Sequence, residues 1–163
     1  MNSALYRQVT AKKDWPFFDE DCTMSASDKE QILVLGKEVA RAFWEKHVSP
    51  QANERHPMLL PTDHWLRPDI PGPDWLNDSK PAIATKTAEV ATFLNQHFKL
   101  DADRRIYFVL AKDSIYMTSM GIFTRHWADF LLLDDECPFL FHPGTKAFAC
   151  FGPHGQPGFG AGK

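Results

Sequence analysis

The chain has 163 residues, 44% of them hydrophobic and 24% charged, which suits a single globular domain spanning 1–163. Its net charge of −3 comes from acidic and basic residues mixed along the length, so the basic footprint of a nucleic-acid binder is missing. No apolar run approaches a membrane span, the stretch from Met1 to Arg7 has no apolar export core, and Cys22, Cys137 and Cys150 are too few for a secreted disulfide framework. The expectation is a soluble cytoplasmic protein with no nucleic-acid or membrane partner.

Ala4 to Val9 reads as a short strand, and Asp14-Trp15-Pro16-Phe17-Phe18 as an edge strand or an extended arm, because proline cannot donate to a sheet ladder. Trp15, Phe17 and Phe18 are expected to plug the core, while Asp19, Glu20 and Asp21 lack the alternation and glycine of a calcium loop and read as a solvated turn. Ser27 and Glu30 match a capping box. Ile32, Leu35, Val39, Phe43 and Lys46 follow at helical spacing, predicting one helix that runs from Ser27 to just before Ser49-Pro50, with Gly36 inside it.

Residues 50–80 form a long proline-rich loop, broken by Pro50, Pro57, Pro61, Pro68, Pro71 and Pro73. Trp65 and Trp75 lie on it, either as a stacking surface for a ligand or as pins holding the loop to the body. A second helix is predicted from about Pro81 to Phe98, capped by Ser79, with Ile83, Val90 and Leu94 on its apolar face.

Arg105 to Ala111 and Ser114 to Met120 read as a hairpin turning at Lys112-Asp113. If that turn is two residues long, Ile106, Phe108, Leu110, Ile115 and Met117 share a core face and Tyr107, Val109, Tyr116 and Thr118 share the other, which either packs in part under the proline-rich loop or lies open to a partner. Thr124 is expected to cap a short third helix carrying Trp127, Phe130 and Leu131 inward. Arg125 and His126, near the acidic turn Asp134-Asp135-Glu136, are candidates for binding or proton transfer if a carboxylate orients the imidazole.

A second hairpin turning at His142-Pro143-Gly144-Thr145 would set Cys137 opposite Cys150. The spacing of Cys137, His142, Cys150 and His154 resembles a metal set, but His142 differs from Cys137 in strand parity, so no metal and no cofactor are expected. The architecture expected is α+β: a mostly antiparallel sheet built from two C-terminal hairpins, packed by two longer helices of the N-terminal half and one short helix. The candidate binding residues are Trp65, Trp75, Tyr107, Tyr116, Arg125 and His126.

Taken together, Trp15 with Asp19-Glu20-Asp21, Ser27 to Ile32, Ile106-Tyr107-Phe108, Gly121 to Trp127, Phe130-Leu131 and Asp134-Asp135 resemble a small proteobacterial family catalogued only as a domain of unknown function. The arrangement of strands around a short helix and acidic turn is also similar to small bacterial immunity and toxin-neutralising proteins. Neither resemblance implies a catalytic residue. Without a nucleophile motif or nucleotide loop, the expectation leans away from an enzyme and toward a non-enzymatic binding or protein-interaction domain. The alternative is a small-molecule binder or hydrolase with a pocket between the proline-rich loop and the short helix.

Overall fold

The computed structural model describes residues 5–68, 70–72, 87–133, 136–151 and 158–162. Among these residues, eight strands form one antiparallel sheet: β1 Tyr6–Gln8, β2 Leu33–Leu35, β3 Ile70–Pro71, β4 Arg105–Ala111, β5 Ser114–Ser119, β6 Phe139–His142, β7 Ala147–Cys150 and β8 Gly158–Ala161. Four α-helices accompany it: α1 Ala26–Glu30, α2 Lys37–His47, α3 Thr87–Phe98 and α4 Met120–Leu131. The spatial order is β1-β2-β5-β4-β6-β7-β8-β3, so the sheet is wider than two C-terminal hairpins, and strands from the first half of the chain form both of its edges. The class is α+β and dominated by antiparallel sheet. None of the described helices is long and apolar enough to cross a membrane.

The helix predicted from Ser27 to Ser49 is two helices with a strand between them. Ser25, not Ser27, caps α1, accepting the Asp28 N–H at 3.0 Å. Leu33-Val34-Leu35 then pairs with β1 on one side and β5 on the other. Both ladders satisfy backbone groups and bury apolar side chains, which outweighs the modest helical preference of the run. Gly36 accordingly occupies the N-cap of α2, with its N–H on the Leu5 carbonyl at 2.8 Å.

The β4–β5 hairpin carries the correction that matters most for the candidate site. Ala111 pairs with Ser114 across Lys112-Asp113, but the register shifts between Val109 and Ala111, so Val109 faces Ile115, Phe108 faces Tyr116 and Tyr107 faces Met117. The extra residue, Leu110, is a β-bulge, and one inserted residue exchanges every later side chain between faces. Ile106, Phe108, Leu110 and Tyr116 therefore share one face, while Val109, Ile115 and Met117 share the other, with Tyr107 packed beside them. The predicted Tyr107/Tyr116 surface does not exist.

Both faces of the sheet are covered. On the first face, Phe108 and Leu140 meet Phe17, Val90 and Leu94 of α3, and Phe123, Trp127 and Phe130 of α4. On the second, Val109, Phe139, Phe141 and Phe148 meet Ala40 and Trp44 of α2 together with Leu60 and Leu66 of the proline-rich segment. Phe17 is buried as expected, whereas Trp15 and Phe18 point outward at 54% and 41% exposure and do not plug the core. The start of the second predicted helix, with Ser79 and Ile83, lies outside the described residues.

Helix α4 begins earlier than Thr124: Ser119 is its N-cap, and the Thr124 hydroxyl instead donates back to the Met120 carbonyl. The second hairpin turns over Pro143 to Lys146, pairing His142 with Ala147 and Phe139 with Cys150. Cys137 is thus not opposite Cys150 but its diagonal neighbour. Gly158, at φ +156°, lets β3 close on β8, since a Cβ there would lie 2.4 Å from the Ile70 carbonyl oxygen.

Candidate functional site

The six residues singled out in the sequence divide among separate places. Trp75 lies outside the described residues. Tyr116 belongs to a buried latch, Arg125 and His126 to a clamp between helices, and Trp65 to a cleft near which Tyr107 also packs.

The latch centres on Asp14, fully buried at the entry to a 3₁₀ turn over Trp15–Phe18. Arg7 grips both carboxylate oxygens at 2.6 and 2.9 Å, the Tyr116 hydroxyl donates at 2.6 Å, and the Thr10 N–H donates at 2.7 Å. Burial alone raises the pKa of Asp14, but the hydrogen bonds from Arg7, Tyr116 and Thr10 outweigh it and hold the carboxyl below its ordinary value. Burial, and then the Asp14 charge, push the Tyr116 phenol well above its ordinary range. The Asp14 carboxylate thus takes four hydrogen bonds inside the fold, and Tyr116 is buried with its hydroxyl committed to it.

The clamp joins α1 to α4. Arg125 meets Asp28 Oδ1 at 3.0 Å, while His126 Nε2 lies 3.1 Å from Asp28 Oδ2 and Nδ1 lies 3.7 Å from Asp129. The backbone of His126 leaves helical geometry (φ −124°, ψ 20°), which breaks the run of the helix at this residue. Burial raises the Asp129 pKa against the pull of His126 and of the Cys22 thiol. The carboxylate that orients the imidazole is therefore Asp28, ninety-eight positions earlier in sequence. Of the acidic turn, Asp134 and Asp135 lie outside the described residues, and Glu136 faces His56 at 3.3 Å.

The cleft opens on the second face of the sheet, where α2 ends. The Val48 carbonyl, left over at that helix end, accepts from Trp65 Nε1 at 3.3 Å and lies 3.0 Å from His64 Nε2. Those bonds fix the Trp65 ring 5.8 Å from Phe141 and 5.5 Å from Phe148, while the His47 ring stands 6.0 Å from Phe141. Between these walls lies a volume of about 240 Å³, also bordered by Pro50 and rimmed by Lys46 and Lys146. Glu45 also lines the cleft and pairs with Lys112 at 2.7 Å, and Lys46 makes no ion pair among the described residues. Burial, reinforced by the Lys46 charge, lowers the His47 pKa, so this ring is a neutral aromatic wall at pH 7.

Tyr107 sits behind this wall, its ring 4.4 Å from Phe43, which in turn contacts His47 at 4.8 Å. Among the described residues, the proline-rich segment packs on the second face of the sheet and α4 on the first. The cleft lies between the segment and α2. Sequence reasoning missed His47, Lys46 and Phe141 here, since they gather only when α2 is a separate helix. Among the described residues, no group of three or more His, Cys, Asp or Glu side chains is placed to hold a metal.

No curated protein and no solved structure matches this chain. The profile of one family, described as a protein of unknown function (DUF2947), matches residues 8–160. That match takes in both faces of the sheet, the clamp and the cleft, and the chain belongs to the DUF2947 family.

Proposed function

We propose that the protein is a small-molecule-binding domain whose cleft receives a single planar ring bearing a carboxylate or phosphate. The observation that carries this reading is the combination of Trp65, His47 and Phe141 as aromatic walls with Lys46 also lining the cleft. Planar rings stack on such walls, and the Lys46 ammonium, which makes no ion pair among the described residues, selects for an anion. The volume, about 240 Å³, suits one ring with its charged substituent rather than a dinucleotide. Three cysteines held as thiols, Cys22, Cys137 and Cys150, fit residence in a reducing cytoplasm.

Calorimetric titration with nicotinate and with phenyl phosphate tests the reading. Saturable binding is expected for at least one, weakened about tenfold by Trp65→Ala, the loss of one stacking partner. Lys46→Glu should weaken it comparably, and the uncharged nicotinamide should bind more weakly than nicotinate. Binding that ignores Trp65→Ala and Lys46→Glu, or no heat with either probe, would sink the proposal.

A protein partner is a second reading, supported by Trp15 and Phe18, exposed at 54% and 41% near edge strand β1. Affinity capture with Trp15→Ser as control separates the two readings. One stoichiometric protein retained by the wild type and lost by the variant, with cleft binding intact in both, favours it; equal capture by the variant rules this surface out.

A further inference from the structure

The proline-rich segment leaves the cleft at Val48, runs to the far end of the β6–β7 hairpin and returns at Trp65. At that far end, His56 leads into a 3₁₀ turn over Pro57–Leu59 and meets a thiol contributed from elsewhere in the chain. His56 Nδ1 is 4.0 Å from Cys137 Sγ, and His56 Nε2 is 3.3 Å from Glu136 Oε2. The Met58 N–H donates to Nδ1 at 3.2 Å, so Nδ1 is the unprotonated nitrogen and Nε2 carries the proton directed at Glu136. The basic nitrogen therefore faces the sulfur. Cys150, nearby on the same sheet face, is pushed up to about 12 by burial first and Cys137 second, and stays a thiol at neutral pH.

We propose that Cys137, His56 and Glu136 form a nucleophilic site for acyl transfer from esters or thioesters with an aliphatic acyl group. Thiol, imidazole and carboxylate stand in the order that activates a cysteine nucleophile. Met58 and Leu59, exposed at 52% and 59% immediately after His56, supply apolar surface for the acyl chain. The site stands apart from the cleft: Cys137 precedes Phe141 by about 13 Å of extended chain.

As sulfur bonds to the acyl carbon, the thiol proton passes to His56 Nδ1, whose lone pair leaves the Met58 N–H, and the carbonyl oxygen takes the negative charge. Collapse breaks the bond to the leaving group, which departs as alcohol or thiol with the proton from Nδ1. Water then attacks the acyl carbon, gives its proton to Nδ1, and the carboxylic acid leaves as sulfur recovers that proton. Glu136 is a positioning residue: it holds the ring tautomer and faces the imidazolium while it exists.

The full chain incubated with p-nitrophenyl butyrate should release p-nitrophenolate and carry butyryl on Cys137, read by peptide mass spectrometry. Cys137→Ser should abolish both, and His56→Gln should slow acylation at least tenfold. Glu136→Gln should slow it less and move its pH profile. Because these substitutions sit beside the sheet, a second measurement uses the unaltered protein. Iodoacetamide should label Cys137, itself 7% exposed, ahead of Cys22 and Cys150, and prior butyrylation should block that label. The site is overturned by labelling that spares Cys137 or is untouched by butyrylation, or by undiminished p-nitrophenolate release in folded Cys137→Ser or His56→Gln.

Discussion

Replacement of Asp14 by alanine is expected to cost about 3 kcal/mol, the range for breaking a buried ion pair from one side. At this chain length that is a fall in melting temperature of roughly 6–12 °C. The carboxylate is fully buried and accepts four hydrogen bonds, from Arg7 twice, Tyr116 and the Thr10 N–H. Its removal leaves the Tyr116 hydroxyl and the Thr10 N–H without acceptors, while Arg7, partly exposed, recovers some of its loss from water. Tyr116→Phe, which removes one donor and leaves the ion pair, should cost about 1.5 kcal/mol.

The same latch sets the acid limb of stability. Asp14 has a folded pKa below its unfolded value, near ~3.9. The stabilisation it contributes is therefore fully present above that unfolded value and is lost as pH falls through the lower folded value. Chemical denaturation at a series of pH values should show the wild type losing stability below pH ~4 more steeply than Asp14→Asn, which cannot ionise. Parallel acid limbs in the two proteins would contradict the assignment.

The second large effect belongs to Phe108, fully buried in strand β4. Its ring centroid lies 5.4 Å from Phe123, 5.5 Å from Phe130 and 6.5 Å from Phe151. Phe108→Ala removes contacts to strand and helix together and leaves a cavity that several rigid rings cannot all collapse into. A loss of about 4 kcal/mol is expected by denaturant titration. Because Phe108 faces away from the cleft, ligand affinity in the folded variant should remain near that of the wild type. Tyr107→Ala, one residue along but on the opposite face, should reverse the pattern, with a smaller stability loss and a measurable effect behind the His47 wall. The contrast tests which face of β4 carries each side chain, since neighbouring strand residues point to opposite faces.

Much of the fold is legible in short stretches of sequence because local chemistry decides those stretches. Trp127, Phe130 and Leu131 face inward at helical spacing, the turn at Lys112-Asp113 is where expected, and Asp19 to Asp21 lie in solvent. The α+β class follows from the same periodicities. Where two local readings compete, the outcome passes to distant partners. Leu33-Val34-Leu35 satisfies helical spacing and strand composition alike, and becomes a strand because β1 and β5 offer backbone groups on both sides.

The candidate sites lie further from local inference. His126 is visible as a residue, but its partner Asp28 stands on another helix. Cys137 is visible, but the histidine found beside it, His56, comes from 81 positions earlier in the chain, and His154 lies outside the described residues. Trp65 is visible as an aromatic on a loop, but its cleft needs α2 to end at His47 and β6 to present Phe141. Periodicity, caps and turns report energies between residues a few positions apart, so they establish the class, the turns and the inward side of α4. Face, register and site depend on one bulged residue and on contacts between positions as distant as Asp14 and Tyr116, where folding makes neighbours that no spacing rule encodes.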